Sequence, residues 1–523
     1  MLNKNKINFF ISLSIATLII TPVSMPWFNM VHFPIGNMEP FLTYSNYYYP
    51  FKYSHVDYLV ILIILICLPP IIFAFNYYFY SRIFSKILFY IICAIIFLIN
   101  LNILRRDIYP FLNFNQIYKN IYFFLLLLIL ILFLIYYFRN FIAKVLKFFL
   151  IVFSPFYIIF FLNYAYAIYL TKPDDSKLYQ YDRKLSATKR NIVEDKLIVI
   201  IFDELDYRLL FENRQKNLKL PNIDKLIETS FFATNAIPPD NETMLSLPQI
   251  TNGHKILDVS LSAGNKINIV DEKNKILQWR DSKNIFKILN ENKINTAVVG
   301  HAGLPYCRVF DKYLNICWEH GIEWRDDNYN LLDGFYKFTI ETVLSFPLLN
   351  TYLNKNENIE HFQIQRFKKI MLASKETIKD QTIDFTLLHF FIPHNPYFFN
   401  MDTNKFDISM FNKPEGYIHS LKLVDNIIGE LIETIDLYYD FNNINLIVTS
   451  DHSCRNIYCP ILDKLDLKQD LRVPFILKLK NQKSKYLYKE EFQTINTMNI
   501  VRGILDKKIT NPKDIIKMSL NSN

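Results

Sequence analysis

The chain has 523 residues, 51% of them hydrophobic, and a formal net charge of +9, which is more than one ordinary domain needs, so two or more units are expected. The charge is unevenly placed: residues 1–170 hold 11 Lys/Arg against only Glu39, Asp57 and Asp107, a net of +8, while the rest of the chain nets +1. A basic soluble face is thereby excluded, and a nucleic-acid partner loses its main support.

A bilayer span needs roughly 20 apolar residues. Five stretches meet that need, at about 7–26, 57–77, 86–104, 121–138 and 148–170. The first follows Lys4 and Lys6 as a signal peptide would, but it ends at Thr21-Pro22 without a small-residue cleavage site, so it reads as a retained helix. Lys/Arg bias puts the N-terminus inside. Seven basic residues, among them Arg82, Arg139 and Lys144, fall on that side; Lys52, Arg105, Arg106, Lys119 and all three acids fall on the other. Five spans then place the rest of the chain outside. The expectation is a multi-pass protein of a bacterial-type inner (plasma) membrane, with its soluble domain periplasmic or otherwise extracytoplasmic.

Between the first two spans, Trp27, Phe28, Tyr47, Tyr48 and Tyr49 belong to an aromatic loop suited to the headgroup level. Pro69-Pro70 should disturb the second span, because proline removes helix hydrogen bonds. Residues 1–170 are read as the transmembrane domain, 171–195 as a linker and 196–523 as the soluble domain. Cys307/Cys317 and Cys454/Cys459 form two close pairs that read as disulfides outside the cytoplasm; neither pair has the C-x-x-C spacing that a zinc site would favour.

The soluble part opens with Lys196-Leu-Ile-Val-Ile-Ile-Phe202, a continuous apolar run of the kind buried in a parallel sheet. Thr296-Ala-Val-Val-Gly300, Asp384-Phe-Thr-Leu-Leu-His389 and Asn445-Leu-Ile-Val-Thr-Ser450 repeat the pattern, with helical segments between them, including 284–292 and 418–437. Strands alternating with helices indicate an α/β fold. Ligand groups in such sheets gather beyond the carboxyl ends of strands. There stand Asp203-Glu204, His389 with His394, and Asp451-His452. Each alone reads as a helix cap or a structural histidine; together they describe a site for one divalent metal ion. Carboxylates with one imidazole suit Zn or Mn, with Mg or Ca also possible. Thr243, in Asn241-Glu-Thr243-Met-Leu-Ser246-Leu-Pro248, supplies a hydroxyl that a bound cation could activate. Arg455, three residues past His452, could contact a phosphate.

Phe202-Asp-Glu-Leu, Thr243 with Ser246-Leu-Pro, Pro393-His394-Asn-Pro-Tyr, Thr449-Ser-Asp-His and Arg472-Val-Pro-Phe together resemble the membrane-bound sulfatase-like hydrolases and transferases of the alkaline phosphatase superfamily. That group includes lipoteichoic acid synthases and lipid A phosphoethanolamine transferases. The resemblance covers about 195–480 and implies an α/β/α sandwich. It further implies a metal held by Asp203 or Glu204, Thr243, Asp451 and His452, with Thr243 as nucleophile and His394 at the substrate. His389 and Arg455 join His394 as substrate-binding candidates by their positions in the sequence, not through the resemblance. The sequence departs from the sulfatases proper. They need a Cys or Ser in a C/S-x-P-S/A-R signature for conversion to formylglycine, and Ser246-Leu-Pro248-Gln-Ile250 lacks the arginine.

The function expected is transfer of a phosphoethanolamine or phosphoglycerol headgroup from a phospholipid donor to an envelope glycan or glycolipid acceptor, through a phospho-threonine intermediate. A hydrolase of phosphodiester or sulfate esters and an inactive membrane-anchored scaffold are the alternatives. A transporter is disfavoured, since the spans carry almost no charge.

Overall fold

In the computed structural model the described residues are 9–17, 55–79, 137, 139–170, 180–184, 196–262, 266–301, 304–320, 330–344, 357–411, 413–455 and 459–520. The chain divides into two compact units, one built from Met1–Ser176, Ser262–Gly264 and Arg325–Lys355, the other from the remainder.

In the first unit, α1 (His55–Phe79) runs through Pro69-Pro70. Proline at 69 leaves the Leu65 carbonyl, four residues back, without its helical donor. The Tyr157 hydroxyl donates to that carbonyl at 2.7 Å, so the defect is repaired from a neighbouring helix. Tyr157 lies on α3 (Phe156–Leu170), which follows α2 (Arg139–Phe153). Tyr58, Ile61 and Leu65 of α1 pack with Phe160 and Tyr164 of α3.

The stretch Val56–Ala74 has a mean hydropathy of 2.7 and, among the described residues, is the one helix long and apolar enough to cross a membrane. The five-span expectation is therefore not met in the described residues. The stretch 148–170 is broken at Ser154-Pro155, where α2 (Arg139–Phe153) ends and α3 (Phe156–Leu170) follows, because Pro155 has no N–H to continue the ladder. The stretch 7–26 is described only over 9–17, 86–104 lies outside the described residues, and 121–138 does so except for residue 137.

Two further boundaries differ from the sequence reading. Gln180–Lys184, expected in the linker, is an edge strand of the main sheet, pairing antiparallel with Ile316–His320. The helix Leu331–Leu344, expected with the soluble domain, packs Phe338 onto α1 and α3 in the first unit.

The second unit is an α/β domain on a ten-stranded mixed sheet. Its strands are β1 (Gln180–Lys184), β2 (Leu197–Asp203), β3 (Phe231–Ile237), β4 (Thr296–His301), β5 (Ile316–His320), β6 (Phe385–Pro393), β7 (Asn445–Ser450), β8 (Val473–Lys478), β9 (Tyr486–Tyr488) and β10 (Phe492–Gln493). The order across the sheet is β1-β5-β4-β6-β2-β7-β8-β3-β9, with β10 also on β3. The five strands from β5 to β7 run parallel. β2, β6 and β7 are buried along their whole lengths, which is why the sequence shows continuous apolar runs there rather than alternation.

Six helices matter for the site: α4 (Pro221–Ile227), α5 (Thr243–Asn252), α6 (Ile285–Glu291), α7 (Glu357–Lys379), α8 (Gly416–Tyr438) and α9 (Thr497–Leu505). The helices α7 and α8 pack on each other and on β6. The buried Asp425 of α8 caps α4 from a distance. Its Oδ1 accepts from the N–H groups of Asn222 (2.9 Å) and Ile223 (3.0 Å), and Oδ2 accepts from Lys422 Nζ at 2.9 Å. These are orphan donors of a first helical turn, and a carboxylate is the acceptor that turn favours most. Gly429, one turn on, leaves room for the Asn222 side chain; a Cβ there would lie 2.6 Å from its amide nitrogen.

Asp425→Ala is expected to destabilise the domain by about 2–3 kcal/mol, since it leaves the buried Ile223 N–H and the part-buried Asn222 N–H without their acceptor. Denaturant unfolding followed by circular dichroism would measure it; an unchanged midpoint would contradict the capping role.

Candidate active site

The parallel strands deliver their acids to one corner. β2 and β7 are in register with Phe202 opposite Ser450, so Asp203 and Asp451 emerge side by side. The Ser450 hydroxyl ties the strands beyond the ladder, donating to the Phe202 carbonyl at 2.7 Å and accepting from Leu205 N–H at 2.8 Å. On the other flank of β2 the register with β6 shifts between Phe202 and Asp203, bringing Pro393 opposite Asp203. The shift turns His394 towards the same corner, with its N–H donating to the Asp203 carbonyl at 3.2 Å.

Asp203, Asp451 and His452 form a buried group whose ligand atoms all lie within 4.8 Å of one another. His452 Nε2 is 3.6 Å from both carboxylates and 3.2 Å from the Thr243 hydroxyl. His452 Nδ1 lies 2.9 Å from the Ser453 carbonyl. A carbonyl only accepts, so Nδ1 carries the proton and Nε2 presents its lone pair to the carboxylates, the arrangement metal-ligating histidines use. Asp451 Oδ1 accepts from the N–H groups of His452 (2.8 Å) and Glu204 (3.3 Å), whereas its buried Oδ2 accepts no hydrogen bond.

Burial, and then the neighbouring Asp451 charge, push the Asp203 carboxyl up to about 7. Two crowded, desolvated carboxylates with an unprotonated imidazole nitrogen need a cation more than they need each other. The residues present fit a divalent metal ion.

Thr243 is the first residue of α5, after an extended Glu242. Its hydroxyl therefore sits at the positive end of a helix, where negative charge is favoured. Ser246, one turn further, points elsewhere: it is buried and its hydroxyl donates to the Asp451 carbonyl at 2.5 Å.

Glu204 does not join the cluster. It adopts a left-handed backbone with φ 67°, uncommon for a residue with a side chain, and faces away from Asp203. Its Oε1 accepts from Arg455 Nε and Nη2, both at 3.1 Å, and lies 3.9 Å from His394 Nε2. Its carbonyl accepts from the Tyr417 hydroxyl at 2.6 Å, and that hydroxyl also accepts from Asp206 N–H at 3.0 Å. Burial works against a charged His394, but Glu204 and Asp203 outweigh it and raise its pKa. The Cys454–Cys459 disulfide brackets Arg455, and a second joins Cys307 and Cys317, as the close spacing implied.

His389, expected at the substrate, sits inside β6 with no solvent exposure and its Nδ1 3.2 Å from the Tyr306 hydroxyl. Burial brings it down to about 4, so it is a neutral wall behind Asp451. Arg366 was missed by the sequence reading. It is buried on α7, stacks its guanidinium 4.3 Å from the Phe391 ring, and contributes positive charge towards Asp203. Its signal was available, an arginine on the apolar stripe that carries Phe367 and Ile370.

The sulfatase family profile matches residues 196–507. The chain belongs to the sulfatase family. The match takes in every residue of the corner, so this is an enzyme of the hydrolytic and phosphoryl-transfer kind, and Asp203, Asp451 and His452 form a cluster in it that could hold a metal ion. A comparison with curated protein sequences finds no match. Among solved structures the sulfatase-family chain is similar to a phosphonate monoester hydrolase of Agrobacterium radiobacter, at 11% identity over 60% of this chain and 73% of that one, TM-score 0.37. It is also similar to murine ectonucleotide pyrophosphatase/phosphodiesterase 5, at 13% over 60% and 95%, TM-score 0.34. A third is Ps i-CgsB in complex with a neocarrahexaose, at 15% over 61% and 73%, TM-score 0.40.

Metal binding to this sulfatase-family site should release protons and weaken as pH falls through about 7, because Asp203 must ionise to bind. Without metal, the raised carboxyl makes the folded state hold a proton that the unfolded chain releases near pH 4. Stability of the metal-free protein therefore falls as pH rises between those values. Zinc or manganese should raise Tm more at about pH 8 than at about pH 6; an equal rise at both would contradict this assignment.

Proposed function

We propose that the protein is a metal-dependent phosphotransferase that moves a phosphoethanolamine or phosphoglycerol headgroup from a phospholipid to an envelope glycan or glycolipid, working through a covalent phospho-threonine at Thr243. The observation that carries this reading is the position of Thr243 Oγ1, buried at the start of α5 and 3.2 Å from His452 Nε2, while the Ser246 hydroxyl is committed to a backbone carbonyl. A threonine cannot become formylglycine, so the sulfate-ester chemistry of the family's formylglycine enzymes has no nucleophile here. Phosphodiester chemistry does.

Asp203, Asp451 and His452, with Thr243, would hold the ion. A divalent cation there supplies positive charge that lowers the hydroxyl pKa and neutralises charge developing on the phosphoryl oxygens. Thr243 Oγ1, deprotonated, forms the bond to phosphorus as the bond from phosphorus to the lipid oxygen breaks. The α5 N-terminus favours the added negative charge at Thr243. His394 Nδ1 donates to the Asn395 carbonyl at 2.5 Å, leaving Nε2 to give the departing lipid oxygen its proton. Glu204, gripped by Arg455, holds that imidazole in place. The acceptor hydroxyl then bonds to phosphorus, its proton returns to His394 Nε2, and the Thr243 oxygen leaves.

This reading calls for a membrane location, because the donor never leaves the bilayer; Val56–Ala74 is a helix of suitable length and composition. The full expectation places the protein multi-pass in the inner membrane with its catalytic domain outside. Disulfides in the catalytic domain fit an oxidising compartment. The second reading, a hydrolase of phosphodiester or sulfate esters, is favoured by the family itself. It differs only in taking water in place of the acceptor.

Thr243→Ala should reduce turnover on the order of a thousandfold or more, whereas Ser246→Ala should cost less than about tenfold. Incubating the protein with headgroup-labelled phosphatidylethanolamine or phosphatidylglycerol should add the headgroup mass to the Thr243 peptide. Label appearing in glycan supports transfer, and label released as free phosphate ester supports hydrolysis. An active Thr243→Ala enzyme would end both readings.

A further inference from the structure

The Asp203-Glu204 turn is held by a side chain from far along the chain. Glu204 stands at φ 67°, in the left-handed region that a residue with a Cβ adopts only under constraint. The Tyr417 hydroxyl lies across that turn. It donates to the Glu204 carbonyl at 2.6 Å and accepts from the Asp206 N–H at 3.0 Å, over separations of 213 and 211 residues. One oxygen thus ties the peptides on either side of Leu205, whose own N–H donates to Ser450 Oγ at 2.8 Å. The tyrosine ring is itself fixed. It has no solvent exposure and meets Tyr397 edge-on, with ring centres 6.3 Å apart. Tyr397 in turn closes on the start of α8 at Gly416, where a Cβ would fall 2.5 Å from it.

Both carboxylates of the metal cluster depend on this turn. Asp203 immediately precedes it, with Oδ1 3.6 Å from His452 Nε2. Asp451 is oriented by it: the Glu204 N–H donates to Asp451 Oδ1 at 3.3 Å, leaving Oδ2 3.6 Å from His452 Nε2. The φ angle at 204 relates the chain up to that N–H to the chain from its carbonyl onward. If φ relaxed to a negative value, one side would have to give. Either Leu205 and Asp206 leave Ser450 and Tyr417, or Asp203 and the Glu204 N–H leave the metal corner.

We infer that the Tyr417 hydroxyl is a positioning group for the metal site, setting its affinity by locking the backbone at Glu204. It acts on two of the three clustered ligands through one turn. The inference rests on the Asp203, Asp451 and His452 cluster, and is independent of whether an acceptor or water completes the reaction.

Isothermal titration of zinc into the metal-free full-length chain in detergent tests this. Tyr417→Phe keeps the buried ring and removes only the hydroxyl; it should weaken zinc binding by about tenfold or more. Glycine enters the left-handed region freely, so in a Glu204→Gly background the same change should cost less than about threefold. A second comparison serves if Tyr417→Phe does not fold. Glu204→Gly and Glu204→Val both lack the carboxylate, but a β-branched residue resists positive φ, so the glycine variant should bind zinc at least about tenfold more tightly. A Tyr417→Phe protein with lowered Tm but the parent's zinc affinity would reduce the hydroxyl to a packing role and overturn the assignment. Equal losses in both backgrounds, or glycine and valine variants that bind alike, would do the same. A parent chain that takes up no zinc would remove the metal site itself, a failure visible before any substitution is made.

Discussion

Three carboxylates, Asp203, Glu204 and Asp451, are buried at the ends of two adjacent strands, and most of the polar architecture of the catalytic unit answers that charge. Such groups are costly unless each finds a partner. Glu204 finds Arg455, Asp451 finds two backbone N–H groups, and Arg366 brings a buried guanidinium towards Asp203. One demand is left over, shared by the buried Asp203 Oδ1 and Asp451 Oδ2, with His452 Nε2 beside them.

The left-handed turn at Glu204 makes that separation possible. Adjacent side chains on a strand point to opposite faces, and one of these two acids would otherwise be directed into the apolar core under the sheet. Rotating the backbone at 204 sends its carboxylate to Arg455 while its N–H still reaches Asp451. Tyr417, from α8, fastens the turn by serving both the Glu204 carbonyl and the Asp206 N–H. The order of roles along Asp203-Glu204 is thus a backbone property as much as a side-chain one.

Much of this was legible beforehand, and the misses have physical causes. Continuous apolar runs marked β2, β4, β6 and β7 because strands buried on both faces show no alternation, and the rule about strand ends then gave Asp203, Asp451, His452 and His394. Whether Asp203 or Glu204 faced the cluster was not legible, since a φ of 67° at a glutamate leaves no trace in residue type. His389 falls within its strand, before the last residue Pro393 rather than beyond it, so its ring meets Tyr306 in the interior instead of standing past the carboxyl end. Arg366 arrives from a helix far along the chain. The edge strand β1 was hidden by its polar sequence, which an edge tolerates. The expected span over 148–170 is interrupted at Ser154-Pro155 by a local break that composition averages away.

The chain order of the sheet has a further consequence, for assembly. β2 comes early in the catalytic unit yet lies near the middle of the sheet, between β6 and β7. The Ser450–Phe202 hydrogen bond that seals it spans 248 residues. Until those later strands arrive, a strand apolar from Leu197 to Phe202 has both hydrogen-bonding edges open, a condition that invites pairing with other chains. Such distant contacts also form slowly. The emerging polypeptide is therefore most vulnerable to aggregation while Leu197–Asp203 waits for its neighbours, and it is during that interval that a chaperone would have the most to protect.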